Sequence, residues 1–145
     1  MKNGIITVRD RHFGGGSDED EFGELSTSCT VGVEGDSIVV RYYEKFDEMF
    51  SCSTCLMIKQ GRVTMMRSGK YSTSMIFEQQ KRHICCYETP FGEIMIGVYT
   101  NAIFTDFNEN GGVIHLAFTI DSNGDLVSEN EIKITVEVKE DQICQ

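Results

Sequence analysis

The chain has 145 residues, of which 25% are charged and 40% hydrophobic, with five Tyr, nine Phe and no Trp. That composition belongs to one globular domain, residues 1–145, large enough to bury a core without metals or disulfides. Thirteen Lys+Arg against 23 Asp+Glu leave a net charge of −10, which argues against nucleic acid as a partner, because phosphate-backbone affinity rests on basic stripes.

Taken in chain order, the sequence alternates with period two between turn signals. The predicted strands are about 4–12, 22–34, 37–45, 50–59, 62–68, 70–79, 82–89, 92–104, 112–122 and 126–139. Between 12 and 22 lies Gly14-Gly15-Gly16-Ser17-Asp18-Glu19-Asp20-Glu21, the one low-complexity stretch, predicted as a mobile acidic loop over 14–21. Glu34-Gly35-Asp36, Gln60-Gly61, Thr89-Pro90-Phe91-Gly92, Asn110-Gly111-Gly112 and Asn123-Gly124-Asp125 supply the hairpin chemistry. The stretches 44–57 and 75–88 admit amphipathic helices, but their β-branched and aromatic flanks favour strands. Ten consecutive strands joined mostly by short turns predict an all-β fold, an antiparallel meander closed into a β-barrel of about ten strands with no open edge.

Parity assigns the faces. Inward rows are Leu25 to Val33, Ile38 to Glu44, Phe50 to Ile58, Val63 to Arg67, Tyr71 to Phe77, Ile94 to Thr100, Ile114 to Ile120, and Ile132 to Val138, each read at every second residue. Glu44 ends the Ile38/Val40/Tyr42 face and Arg67 ends the Val63/Met65 face. A charge on an apolar face is costly unless paired, and both lie near strand ends where a barrel mouth can admit water. One reading makes them a structural ion pair. The other makes Arg67 the anchor of an anionic ligand, with Glu44, Tyr42, Tyr71 and Thr73 as a polar lining.

The blocks Tyr42-Tyr43-Glu44, Val63-Thr64-Met65-Met66-Arg67-Ser68-Gly69 and Tyr87-Glu88-Thr89-Pro90-Phe91-Gly92-Glu93 together resemble the YwiB-like family of small bacterial β-barrel proteins. The likeness runs over most of the chain and is weakest before Ser37 and after Val138. It implies a calycin-like, lipocalin-like barrel in a bacterial cytoplasm. It carries over no substrate, cofactor or catalytic residue. The matching positions are Tyr43, Glu44, Arg67, Gly69, Tyr87, Thr89, Pro90 and Gly92.

Cys52-Ser53-Thr54-Cys55 has the spacing of a zinc half-site, with His83, Cys85 and Cys86 as the remaining candidate ligands. On a strand, however, an offset of three sends the two thiols to opposite faces. Small buried thiols are the simpler reading, so no metal and no cofactor is expected. His12, His83 and His115 read as surface residues. No nucleophile elbow, phosphate loop or dinucleotide fingerprint occurs, so no enzyme activity is supported. The absence of an apolar run near 18 residues and of a secretory leader predicts a cytoplasmic protein with reduced thiols and no membrane partner. Outward Val39, Tyr43, Met57, Met66 and Ile76 ask for cover by the termini or a second subunit, leaving monomer and homodimer equally open.

Function is thus read as binding of a small, anionic ligand in the barrel interior or mouth. The alternative is a non-catalytic protein-interaction or structural module with a filled core.

Overall fold

The computed structural model describes residues 1–14, 17–45 and 51–139. Ten strands follow one another: β1 (Lys2–Gly14), β2 (Ser17–Glu34), β3 (Ser37–Lys45), β4 (Ser51–Lys59), β5 (Arg62–Gly69), β6 (Thr73–Glu78), β7 (Arg82–Thr89), β8 (Gly92–Asn108), β9 (Gly111–Ser122) and β10 (Asp125–Val138). Each named strand pairs antiparallel with its sequence neighbour, and β1 pairs with β10 to close the barrel. Among the described residues no helix is long and apolar enough to cross a membrane.

The inner face is set by period two, as expected. Ile38, Val40 and Tyr42 of β3 face Ile58, Leu56 and Thr54 of β4, and Leu56 and Ile58 face Met65 and Val63 of β5. Ile6, Val31, Val40, Leu56, Phe77, Ile114 and Ile134 are almost wholly buried in one core cluster. Each such side chain contributes roughly 1.5–3 kcal/mol by leaving water. The Phe77 and Phe118 rings, from non-adjacent β6 and β9, meet at 4.8 Å between centroids and 58° tilt. The middle of the barrel is therefore filled by its own side chains.

Three expectations need correction. Gly14 and Ser17–Glu21, read as part of a loop, continue β1 and β2: the ladder runs through His12↔Glu21 to Gly14↔Ser17 past an irregularity. An all-polar run carries no hydrophobic period, so periodicity could not see this extension. Gly15 and Gly16 lie outside the described residues, as does Phe50 of the fourth predicted strand. β8 extends to Asn108 because a bulge between Thr100 and Ala102 shifts the parity and turns Ile103 and Phe107 back toward the core. Val33 and Ile94, assigned inward, are exposed, because they stand near the ends of β2 and β8. Val39, expected outward and in need of cover, is buried: it lies opposite Gly32, whose outer side carries the Met1 side chain, so the N-terminus supplies that cover.

The wall is uneven. β6 and β7 share one residue pair, Thr73↔Tyr87. Past it, the chain closes through a parallel bridge from Gln79 to Thr100, with the Gln80 N–H donating to the Thr100 carbonyl at 2.8 Å. Gln80 adopts a positive φ of 57° to make that turn. Glu78 reinforces it, accepting from Arg62 at 3.0 Å, Lys81 at 3.4 Å and His83 at 2.9 Å. His83, expected at the surface, is thereby a half-buried inward residue of this clasp.

Candidate functional site

At the end of the barrel that carries the β5–β6 and β7–β8 turns, the inner rows change from apolar to polar. One row runs Cys29–Tyr42–Thr54–Arg67–Thr73–Tyr87–Ile94 through consecutive cross-strand pairs. The next row outward is Glu44–Cys52–Gly69. Parity alone puts all of these on one face, and cross-strand register makes them neighbours.

Arg67 and Glu44 form an ion pair, with Nη2 to Oε1 at 3.9 Å and side chains 39% and 11% exposed. At that distance they attract without sharing a hydrogen bond. Beneath them, the Tyr42 hydroxyl, the Thr54 hydroxyl and Arg67 Nε are all buried without a hydrogen-bond partner. Burial pushes the Tyr42 phenol above its ordinary pKa. The Arg67 cation opposes that rise, the Glu44 charge adds to it, and the Thr54 hydroxyl and Arg67 guanidinium oppose it at close range without closing hydrogen-bond geometry. An unpaired buried polar group costs about 1–3 kcal/mol, and three of them cluster here.

Of these three residues Arg67 also borders a cavity of about 440 Å³, lined by Ser51, Cys52, Arg67, Gly69, Lys70, Tyr71, Thr73, Tyr87, Glu88, Thr89 and Pro90. Gly69 keeps this row low: a Cβ there would stand 2.5 Å from the Ser51 carbonyl oxygen. The rim is held by polar bonds. Glu88 Oε2 accepts the Ser72 N–H at 3.0 Å. The Thr89 hydroxyl accepts the Phe91 N–H at 3.1 Å and donates to the Gly92 carbonyl at 2.7 Å, which fixes the Pro90–Phe91 turn. Lys70 lies 5.7 Å from the centre of the Tyr71 ring.

Of the residues singled out from sequence, Arg67, Tyr71 and Thr73 line this cavity, while Glu44 and Tyr42 stand behind Arg67. Cys52, Gly69, Lys70 and Tyr87 complete it without having been singled out as lining, whereas Thr54, with Tyr42 and Arg67, lines a second cavity of about 550 Å³. Thr54 and Cys52 were already in an inward row, but only register shows which inward residues touch Arg67. The three sequence blocks that carry the family resemblance converge here, through Glu44, Arg67, Gly69, Tyr87, Thr89 and Pro90.

The thiols lie apart. Cys52 and Cys85 both face inward, but β5 and β6 stand between their strands. Among the described residues no group of three His, Cys, Asp or Glu could hold a metal ion. Cys144 lies outside the described residues. A second inward polar contact, unexpected from sequence, joins the His12 ring to the buried Asn130 amide across β1 and β10.

A family profile described as a domain of unknown function, DUF1934, matches residues 6–134. Among curated proteins the chain is similar to the uncharacterized β-barrel protein YwiB of Bacillus subtilis, 26% identical over 114 residues covering 79% of this chain and 80% of that one. The crystal structure of the ywiB protein from Bacillus subtilis superposes with a TM-score of 0.83, at 23% identity, over 95% of this chain and 92% of that one. The structural likeness establishes the barrel fold.

Proposed function

The chain belongs to the DUF1934 family, and on that premise we propose that it is a non-catalytic binding protein that takes a small anion at the barrel mouth, in the cytoplasm. The cluster of buried side chains in the middle of the barrel supports the mouth over the interior as the place for a ligand. Arg67 is the charge anchor and Glu44 holds its guanidinium. Tyr42 and Thr54 offer hydroxyls to the same ligand oxygen network, and Tyr71 and Thr73 line the approach. The observation that carries this reading is the trio of buried polar atoms on Tyr42, Thr54 and Arg67 that no protein group partners, with Arg67 also lining the open cavity at the mouth. An anion oxygen accepting from the guanidinium and the hydroxyls would supply the partners that no protein group provides.

Native mass spectrometry of protein purified without a metal-affinity column tests it. A mass excess that disappears on denaturation and is absent from Arg67→Met supports the proposal. An equal excess on Arg67→Met rejects it. The same spectrum reads the oligomeric state, for which exposed Tyr43 and Met66 on the outer wall favour a second subunit.

A second reading, a protein-interaction module, draws on Phe91, fully exposed at the tip of a turn held by Thr89. Loss of a protein partner in Phe91→Ser, with no small-molecule excess in the wild type, would select it.

A further inference from the structure

On the opposite wall, the outward residues of β2, β1, β10, β9 and β8 form a grid set by the register. One row reads Glu24–Arg9–Lys133–His115–Phe104, and the next reads Phe22–Arg11–Glu131–Ala117–Ala102. Arg9 and Lys133 stand directly opposite each other, an arrangement of like charges that destabilises an antiparallel pair. Arg9 reaches Glu24 at 3.6 Å, and Arg11 reaches Glu131 at 4.0 Å. Lys133 has no ion-pair partner among the described residues, so the row holds a surplus of positive charge in a protein whose net charge is −10.

Two hollows meet at this pair. One, of about 180 Å³, is lined by Thr7, Arg9, Lys133 and Thr135. The other, of about 430 Å³, shares Arg9 and Lys133, is floored by Ala102 and Ala117, and is bounded by Phe104 and Phe22. Both phenylalanines are largely exposed, and His115 meets the Phe104 ring edge-on at 6.1 Å. Asp10 and Glu131 also line this hollow, so it selects for an anion placed at the Arg9/Lys133 end rather than along its length. Lys133 and Phe104 are two strands apart, roughly 10 Å at about 4.8 Å per strand. That span separates the phosphate from the base of a mononucleotide.

We propose that this wall is a second ligand site, for a phosphate monoester carrying a planar aromatic group, of mononucleotide size. The phosphate sits between Arg9 and Lys133, with the Thr7 and Thr135 hydroxyls as donors. The ring lies on the alanine floor against Phe104 and His115. None of these residues lines the mouth, so the inference is independent of the mouth reading.

The test is a titration of isotope-labelled protein with adenosine 5′-monophosphate, adenosine and inorganic phosphate, read by amide shifts. The nucleotide shifts amides of 7–9, 113–117 and 131–135, and binds at least about tenfold more tightly than adenosine. Lys133→Glu weakens nucleotide binding by about tenfold or more, the loss expected for removing one charge-assisted contact. Phe104→Ser weakens the nucleotide and leaves inorganic phosphate unchanged. Both side chains are exposed on the wall, and the unperturbed amides report that the variants fold. The proposal is overturned by no shift at about 10 mM nucleotide, by equal affinity for adenosine and the nucleotide, or by indifference to Lys133→Glu. Shifts of the same amides on dilution alone also overturn it, and assign the wall to contact between two copies of the chain.

Discussion

Replacing Arg67 by Met removes the cation and keeps an apolar stem of similar length, leaving the Glu44 carboxylate alone at 11% exposure. At 3.9 Å and an effective dielectric of about 20, the gross attraction is about 4 kcal/mol. Arg67 is 39% exposed, so water at the mouth screens much of this and the net worth of the pair falls to about 1 kcal/mol. The larger cost is the stranded carboxylate, about 2 kcal/mol when the figure for fully buried pairs is reduced for access to the mouth. Glu44→Gln strands the better solvated partner, and costs less than about 1 kcal/mol. The double variant Glu44→Gln/Arg67→Met removes both charges and is no less stable than Arg67→Met alone, with a coupling of about 1 kcal/mol. The chain has no Trp, so urea unfolding is followed by far-ultraviolet circular dichroism. The Arg67→Met midpoint falls by about 1 M at a typical slope for a domain of this size. A midpoint within about 0.2 M of wild type, or a double variant as weak as the two single losses added, would refute the reasoning that the pair is a coupled unit.

Acid stability follows from two clasps. Desolvation pushes the Glu78 carboxyl up, but hydrogen bonds from Arg62, His83 and Lys81 outweigh it and hold it below its ordinary range. Hydrogen bonds from Arg82, at 2.6 and 2.9 Å, hold Asp121 down against desolvation. Depressed carboxyls stabilise the fold above their unfolded pKa of about 4, and that contribution is lost as pH falls through the lower folded value. Glu78→Gln and Asp121→Asn therefore flatten the acid limb of a melting-temperature profile, and an unchanged limb contradicts the assignment. Burial raises the Cys29 and Cys85 thiols, so both resist alkylation at pH 8 until the chain unfolds. Cys86 is raised by desolvation and then by Glu93 and Glu88, and Glu93→Gln speeds its alkylation, as mass-resolved labelling would read. Hydrogen exchange is fastest within the barrel wall at 74–78 and 82–86, where β6 and β7 share one residue pair, and slower across β1, β2 and β10.

Much of this fold was legible because period two survives wherever a strand has one wet face. Ile132 to Val138 and Ile38 to Glu44 read correctly without any knowledge of their partners. It failed where the period is interrupted or silent. The bulge at Thr100/Ala102 inverted the faces of later β8 residues, and the polar 17–21 run had no apolar residues to count. The two mouth charges were legible for the same reason, since Glu44 and Arg67 break an otherwise apolar face. Thr54 and Tyr87 were not, because each becomes part of the site only through the register of strands that local sequence does not specify. His83 was misread because its partner Glu78 lies across a turn that no turn signal marks.

The side-chain nitrogen of Arg67 tests the mouth site most directly. Its Nε–H resonance, assigned by its loss in Arg67→Lys, is followed as a protein-free ultrafiltrate of a bacterial lysate is added to isotope-labelled protein. A buried Nε without a partner gives a resonance that shifts and saturates when an anion accepts its hydrogen bond, together with the amides of Thr54 and Thr73. A resonance that stays in place throughout the titration would contradict the account.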